Sequence, residues 1–140
     1  MIEALAFMAA AQAPSFIYHP NCESGSQHEL TICASKEFEQ ADKAMNEQWQ
    51  KTEALMKRLD AYYQPNPALG QSSYAVALLK GQRAWLQFRE AFCPIFGAGG
   101  GSMGPMFRYK CLRDVTKART EQLKSLMLSP ATGNPYFEDL

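Results

Sequence analysis

Apolar and small residues recur at steps of three and four along most of the chain, which is the spacing of an amphipathic helix. Three stripes of this kind occur, over residues 30–62, 74–92 and 107–128. No stretch alternates between apolar and polar residues with a period of two, which would indicate a half-buried strand. The pattern therefore predicts an all-α fold, a three-helix up-down bundle preceded by an N-terminal extension.

Local signals set the ends of the three predicted helices. The first helix begins near Ser26, because Ser26 and Glu29 have the spacing of a capping box. Residues 65–67, Pro-Asn-Pro, end it, since proline lacks the backbone amide hydrogen that a helix needs. The second helix is predicted to start at Ser72 or Ser73 and to end at residues 93–94, and the third to run from about Phe107 to the Ser-Pro pair at residues 129–130.

The first thirteen residues form a short apolar run that closes on Ala-Gln-Ala, the small-x-small pattern that a signal peptidase cuts after. The run carries Glu3, no lysine or arginine precedes Lys36, and Pro14 follows the cleavage position. We therefore interpret residues 1–13 as the remnant of a signal peptide. Residues 14–128 are predicted to form a single helical domain, and residues 129–140 a flexible tail.

Charge and size exclude several classes of function. The chain of 140 residues carries 14 basic and 14 acidic side chains, so bulk electrostatics do not favour binding to nucleic acid. No apolar run approaches the roughly 20 residues of a membrane span. The charges are unevenly distributed: residues 19–60 are acidic overall and residues 80–124 are basic overall. Oppositely charged helices packed side by side explain this, and an acidic face for a basic partner is the alternative.

The four cysteines occur as two pairs of near neighbours, Cys22 with Cys33 and Cys93 with Cys111. An even cysteine count behind an export signal indicates disulfides formed in an oxidising compartment. We expect each cysteine to bond to its near neighbour, although four cysteines allow three connectivities. A metal site is the alternative, because His19, Cys22, His28 and Cys33 are acceptable zinc ligands by residue type. Their spacing matches no common zinc motif, so the prediction is no metal and no cofactor.

Residues 82–93 carry the run Gln-x-Ala-Trp-Leu-x-Phe-Arg-x-x-x-Cys, and further matching positions lie on both sides of it. These positions are Cys22, Glu29, Cys33, residues 41–42, residues 45–46, residues 99–102, Cys111 and residues 116–123. Together they make the chain resemble the LprI-type lysozyme-inhibitor domain over roughly residues 20–127. The resemblance implies a small helical protein of the periplasm or of the secreted fraction, with lysozyme or another peptidoglycan hydrolase as its protein partner. It supplies no inhibitory residue, only the cysteine framework and the Trp-Arg motif.

The Trp-Arg motif has a structural explanation. Trp85 and Phe88 are predicted to share a buried face of the second helix with Leu78 and Gly81. Arg89 lies four residues after Trp85, so its guanidinium can stack on an aromatic ring or pair with a carboxylate such as that of Asp42. Arg119 on the third helix is expected to act in the same way. We interpret these residues as a buried network that organises the fold, with a binding site as the alternative.

A glycine-rich segment links the second and third helices. Its predicted inhibitory residues are Phe96, Gly100, Gly101, Ser102 and Met103. If the second disulfide holds its ends together, the segment forms an Ω-like loop suited to entering a glycosidase cleft, because prior ordering lowers the entropy cost of binding. A plain connection that covers one end of the bundle is the alternative. No phosphate-loop signature accompanies the glycines.

No motif of an enzyme occurs in the chain: there is no nucleophile elbow, no His-Glu-x-x-His and no calcium loop. The leading hypothesis, which the resemblance to the LprI-type domain implies, is an exported envelope protein that inhibits a peptidoglycan hydrolase without catalysing a reaction. The alternative is a structural or chaperone-like periplasmic module that has no hydrolase target. If the target is a basic lysozyme, the acidic first helix is a second candidate surface, through Glu37, Glu39, Glu47 and Glu53.

Overall fold

The computed structural model describes residues 20–128, and the predicted signal-peptide remnant and C-terminal tail lie outside this range. The α-helices are α1 (Gln27–Tyr63), α2 (Tyr74–Phe92), α3 (Pro94–Gly97) and α4 (Gly104–Leu128). Two 3₁₀ turns, Pro67–Leu69 and Gly101–Met103, complete the secondary structure, and residues 20–128 contain no strand. None of the described helices combines the length and the apolar character that crossing a bilayer requires. The all-α prediction is confirmed.

The capping signals read from the sequence set the ends of α1. The Ser26 side chain accepts a hydrogen bond from the Glu29 amide, and the Glu29 carboxylate accepts one from the Ser26 amide, which completes the capping box. At the other end Gln64 adopts a left-handed conformation (φ 47°), and Pro65 then prevents continuation. At 37 residues α1 is about 55 Å long, roughly twice the length of α2.

A carboxylate on the last turn of α1 caps the start of α2. Asp60 accepts hydrogen bonds from the Ser73 hydroxyl (2.7 Å), the Tyr74 amide (2.7 Å) and the Ala75 amide (3.0 Å). These amides belong to the first turn of α2, where backbone N–H groups have no partner within the helix. Burial raises the pKa of Asp60, but the hydrogen bonds from Ser73, Ala75 and Tyr74 together outweigh it, so the net pKa is lowered. The turn thus fixes the angle at which α2 folds back along α1.

The long helices run up, down and up. The Thr52 hydroxyl on α1 donates to the Leu123 carbonyl on α4 (3.1 Å), and the start of α1 meets the start of α4 at Gln27 and Met106. Helices α1 and α4 are therefore parallel and form the main contact of the bundle, while α2 runs antiparallel to both. The bundle prediction is confirmed in its topology as well as in its class.

The core consists of two apolar clusters along the α1–α4 seam. The larger cluster joins all three long helices and comprises Met45, Leu55, Met56, Leu59, Leu78 and Leu123. The smaller cluster surrounds the second disulfide and comprises Cys93, Cys111 and Leu112, with Phe38, Phe92, Tyr109 and Val115 packed against it. The second cluster joins the C-terminal end of α2 to the N-terminal half of α4. The candidate site lies in this region.

Three details of the predicted helices are wrong. Tyr62, at the end of the predicted buried stripe of α1, is 60 % exposed. Gly81 and Phe88 are exposed because α2 turns its Leu78, Gln82 and Arg89 side towards its neighbours, a rotation away from the predicted face. The third helix begins at Gly104, not near Phe107.

The apolar stripe predicted for α4 was right only in part: its Cys111 and Leu123 are buried, but its Ala118 and Gln122 are not. Thr116 and Thr120 are buried against α1 instead. Threonine tolerates this burial because its hydroxyl is satisfied locally, as when the Thr120 hydroxyl donates to the Thr116 carbonyl (3.1 Å).

Candidate functional site

Both predicted disulfides are present. Cys22 bonds to Cys33 with a Cα–Cα distance of 5.7 Å, and Cys93 bonds to Cys111 with a distance of 5.5 Å. The first ties the segment before α1 to its second turn. The second ties Cys93, the residue that follows α2, to Cys111 in the second turn of α4, and Cys93 is fully buried. The chain between Cys93 and Cys111 therefore has both of its ends fixed.

The disulfide between Cys22 and Cys33 replaces the alternative zinc site, because it consumes two of the four candidate ligands. His19 lies outside the described residues. Across residues 20–128 the structure contains no group of histidine, cysteine and acidic side chains placed to hold a metal ion.

The glycine-rich segment folds into two short turns instead of an open loop. Helix α3 follows Cys93 directly, and the 3₁₀ turn leads without a break into α4. Gly97 and Gly104 meet closely: a Cβ on Gly104 would lie 2.5 Å from the Gly97 carbonyl oxygen. A Cβ on Gly100 would lie 2.7 Å from the Gly104 Cα, and Gly101 has a φ of 52°. The glycines at 97, 100 and 104 thus allow a compact crossing of backbones, and Gly101 supplies the left-handed residue.

This compact segment presents apolar side chains to solvent. Phe96 is 50 % exposed and Met103 is 42 % exposed, and Ser102 between them in the sequence is also exposed. Gly100 is half-buried and Gly101 is exposed. All five predicted inhibitory residues therefore lie on one short, tethered stretch, on which the side chains of Phe96, Ser102 and Met103 are exposed.

A groove of about 480 Å³ lies beside Phe96, between the end of α2 and the start of α4. Its walls are aromatic and aliphatic, and one base and one acid flank it; the lining residues are Phe92, Phe96, Phe107, Lys110, Cys111, Asp114 and Val115. Phe107 and Val115 were not predicted as parts of a site. Both are four residues from Cys111, so their spacing placed them on its helix face.

Arg89 of the Trp-Arg motif lies among side chains of the three long helices. The Arg89 guanidinium lies between the Phe38 ring (5.2 Å to its centroid) and the Trp85 ring (5.1 Å). Its Nη1 donates to Asp42 Oδ1 at 2.7 Å and to Thr116 Oγ1 at 3.2 Å. Arg89 is only 8 % exposed, so these contacts join all three long helices at a site with little access to solvent.

Arg119 on α4 also contacts Trp85. Its guanidinium lies 5.8 Å from the Trp85 ring, and its Nε donates to Gln82 Oε1 at 2.9 Å. Burial lowers the pKa of Arg119. The expected stacking is present, but an amide takes the place of a carboxylate. The motif is therefore a component of the core, and Trp85 itself is half-buried and packs against the larger apolar cluster.

The acidic first helix is not a uniform negative surface. Glu37 pairs with Arg113, whose pKa is raised by hydrogen bonds from its guanidinium to Asp114 and Glu37. Glu53 pairs with Lys57 at 3.2 Å. Glu39 and Glu47 border a shallow groove on α1 that also includes Lys43. Basic side chains thus reduce the negative potential along this helix.

The sequence matches the model of one known family. The family model described as lysozyme inhibitor LprI matches residues 20–123, which span both disulfides, α1, α2 and all but the last five residues of α4. The chain belongs to the LprI family. An uncharacterized protein of Rhizobium meliloti (strain 1021) is 38 % identical to it over 129 residues, covering 86 % of each chain. No solved structure matches the chain.

The match to the LprI family covers the residues on which the sequence resemblance relied. Within the match lie the Cys22–Cys33 and Cys93–Cys111 bonds, the Trp85–Arg89 pair and the glycine-rich crossing. The family description is that of an inhibitor and names no catalytic reaction.

Proposed function

We propose that the chain is an exported protein that binds and inhibits a peptidoglycan hydrolase such as a lysozyme. The observation that carries this proposal is the family match over residues 20–123, which covers nearly all of the described domain. Two disulfides in a domain of this size fit an oxidising compartment, which supports a periplasmic or secreted location.

The inhibitory surface in this proposal is the tethered segment from Gly97 to Met106 together with Phe96. The Cys93–Cys111 bond and the crossing of Gly97 with Gly104 order the segment before it meets a partner. Ordering in advance reduces the entropy lost on binding, so a small surface can still give useful affinity. Half-exposed Phe96 and Met103 supply apolar contacts, and the Ser102 hydroxyl supplies a hydrogen bond to a carboxylate in the hydrolase cleft.

Inhibition of this kind needs no reaction by the inhibitor. A glycosidase uses two carboxyl groups that flank the bond to be cleaved, and a side chain that occupies the space between them excludes the sugar. The apolar groove between α2 and α4 lies next to Phe96 and offers room for a side chain of the hydrolase in return. The proposed contact is therefore reciprocal: the Phe96 ring enters the hydrolase cleft, and a side chain of the hydrolase fills the groove between α2 and α4.

The experiment replaces Ser102 and Met103 together with alanine and measures the inhibition constant against a panel of lysozymes beside the melting temperature. A matched control replaces Ser125 and Leu128, an exposed serine and an 83 % exposed leucine at the opposite end of α4. Weaker inhibition by the first variant alone, at unchanged stability, supports the segment.

If both double variants inhibit as strongly as the wild-type protein, the segment is removed from the proposal, and the acidic helix α1 becomes the surface to test. In that case added salt should slow association more than it speeds release, because long-range charge acts mainly on encounter. If no hydrolase in the panel is inhibited, the inhibitor proposal fails and the structural or chaperone-like module takes its place.

A further inference from the structure

The two disulfides differ in how far solvent reaches them. Cys93 is fully buried and Cys111 is 9 % exposed, so a thiol in solution reaches that bond only when the bundle opens. Cys22 is exposed, by contrast, and only its partner Cys33 is buried. The first disulfide therefore presents one of its two cysteines to solvent in the folded protein, which gives an external thiolate access to it.

The exposed disulfide ties down a short segment, residues 20–26, which we call the hook. The Asn21 side chain accepts hydrogen bonds from two amides of the following turn, at 3.0 and 3.1 Å. The backbone turns so tightly that a Cβ on Gly25 would lie 2.2 Å from the Asn21 carbonyl oxygen. Glu29, in the first turn of α1, accepts hydrogen bonds from the Asn21 and Ser26 amides. Because these contacts are local, opening the disulfide releases the hook without disturbing the two apolar clusters.

The start of α1, to which the hook is bonded, lies against the segment that is proposed to bind the hydrolase. Gln27 Nε2 donates to Met106 Sδ at 3.6 Å, and Met106 is 7 % exposed at the end of that segment. Helix α1 also contacts the 3₁₀ turn Gly101–Met103, which is exposed to solvent. A change at Cys33 thus reaches the proposed inhibitory surface through the first turns of a single helix.

We propose that the Cys22–Cys33 bond is a redox latch, which a dithiol reductant opens in the folded protein while the Cys93–Cys111 bond stays closed. Opening the latch frees the hook and loosens the start of α1 together with the inhibitory segment beside it. The consequence for inhibition rests on the proposed function, whereas the selective opening and the loosening do not.

The exchange proceeds in two steps. A thiolate of the dithiol attacks the Cys22 sulfur and forms a mixed disulfide, and the bond to Cys33 breaks with its electron pair on the Cys33 sulfur, which takes up a proton. The second thiolate of the reductant then attacks its own sulfur in the mixed disulfide, which closes the disulfide of the reductant and releases Cys22 to take up the other proton. Two electrons and two protons pass from the dithiol, which is oxidised, to the two cysteines, which are reduced.

Treatment of the folded, oxidised protein with graded dithiothreitol, followed by rapid alkylation and mass mapping of the modified cysteines, tests the selective opening. Cys22 and Cys33 should be alkylated at least about tenfold faster than Cys93 and Cys111, because the buried bond is reached only when the bundle opens. Equal rates for the two bonds, or faster reduction of the buried bond, would overturn the proposal.

Two alanine variants test whether the hook controls access to the exposed bond. Gly25→Ala crowds the hook backbone and should speed reduction of the Cys22–Cys33 bond. Gly81→Ala is the matched control, because its added Cβ meets nothing within 4 Å, and it should leave that rate unchanged. The proposal is also wrong if the two variants reduce at the same rate.

Hydrogen exchange on the double variant Cys22→Ser with Cys33→Ala, in which the latch is permanently open, tests the loosening. Backbone amides of residues 27–33 and 101–106 should exchange several-fold faster than in the oxidised wild-type protein. The first amides of α2, which lie at the opposite end of α1, should not change. Unchanged exchange over residues 101–106 would show that the latch does not reach the segment and would overturn the proposal.

The lysozyme assay on the oxidised protein and on the open variant separates this proposal from the proposed function. If the oxidised protein inhibits, the open variant should require a several-fold higher concentration, and equal inhibition by the two would contradict the regulatory role. If the oxidised protein inhibits no lysozyme, the proposed function fails, and the reduction rates and hydrogen exchange still decide whether the latch exists.

Discussion

Replacing Arg89 with lysine is the sharpest test of the buried network, because lysine keeps the positive charge and removes the planar guanidinium. Arg89 is 8 % exposed and its guanidinium contacts the faces of Phe38 and Trp85. An ammonium group stacks less well between two rings, and it cannot donate to Asp42, Thr116 and Glu90 with the same fork geometry. Any loss of stability therefore reports on geometry and not on charge.

The magnitude follows from the contacts that are lost. A desolvated cation–π contact contributes about 1–2 kcal/mol, and a hydrogen bond to a charged group about 1.5–3 kcal/mol. Asp42 is one-third exposed, so its share is at the lower end. Because lysine retains part of each interaction, we expect Arg89→Lys to lower the free energy of unfolding by about 2–3 kcal/mol. For a domain of this size that lowers the melting temperature by about 10 °C.

Urea denaturation followed by far-UV circular dichroism measures the effect, with Arg108→Lys as the matched control. Arg108 is exposed and its guanidinium lies 3.7 Å from Glu90, so its replacement should change stability by less than about 0.5 kcal/mol. If Arg89→Lys costs no more than Arg108→Lys, the guanidinium does not organise the three helices, and the interpretation of the Trp-Arg motif is wrong.

Three further predictions concern the elements that hold the bundle together. Asp60→Asn should cost about 1 kcal/mol in urea denaturation near neutral pH, since it weakens the cap of α2. The pKa of Asp60 is lowered in the folded state, so the stabilisation by its carboxylate is complete above the unfolded pKa of about 3.9 and is lost as the pH falls through the folded pKa. The difference in unfolding free energy between wild type and variant should therefore close in acid. A difference that stays constant with pH contradicts the cap. Replacing Cys93 and Cys111 together with serine should cost about 3 kcal/mol by releasing the chain constraint, whereas an unchanged denaturation midpoint would show that packing alone orders the segment. Trp85→Ala should cost about 3 kcal/mol because the half-buried ring supports both guanidinium groups, and a variant of wild-type stability would remove Trp85 from the core.

The sequence predicted the features that depend on local chemistry. The capping box at Ser26, the proline stop after α1 and both cysteine pairings are present as expected. The Arg89 pairing with Asp42 was also predictable, because a motif arginine on a largely apolar helix needs a carboxylate partner. The capping box, the proline stop and the cysteine pairings need no knowledge of how the helices are rotated against one another, whereas the Arg89–Asp42 pair also requires that α1 and α2 face each other there.

The features that depend on helix rotation were not predictable from the periodicity. Helix α2 has apolar residues around more than half of its circumference, so several rotations bury an equally apolar face, and Phe88 was placed on the wrong side. On α4 the buried positions include Thr116 and Thr120. Because threonine carries a hydroxyl group, the search for apolar residues did not select these two positions. The glycine-rich segment was expected to form an Ω-like loop. The close crossing of Gly97 and Gly104 was not predictable, because it depends on backbone contacts between residues that are apart in the sequence.

The most direct test of the proposed function is a cell-wall lysis assay in which purified, oxidised protein is titrated into a fixed amount of lysozyme. The inhibitor proposal predicts that the lysis rate falls with increasing protein and reaches its minimum near a stoichiometric ratio. It also predicts that the Ser102 and Met103 double alanine variant requires a higher concentration for the same effect. A lysis rate that stays constant at a large excess of correctly folded protein, for every lysozyme in the panel, would contradict the proposal.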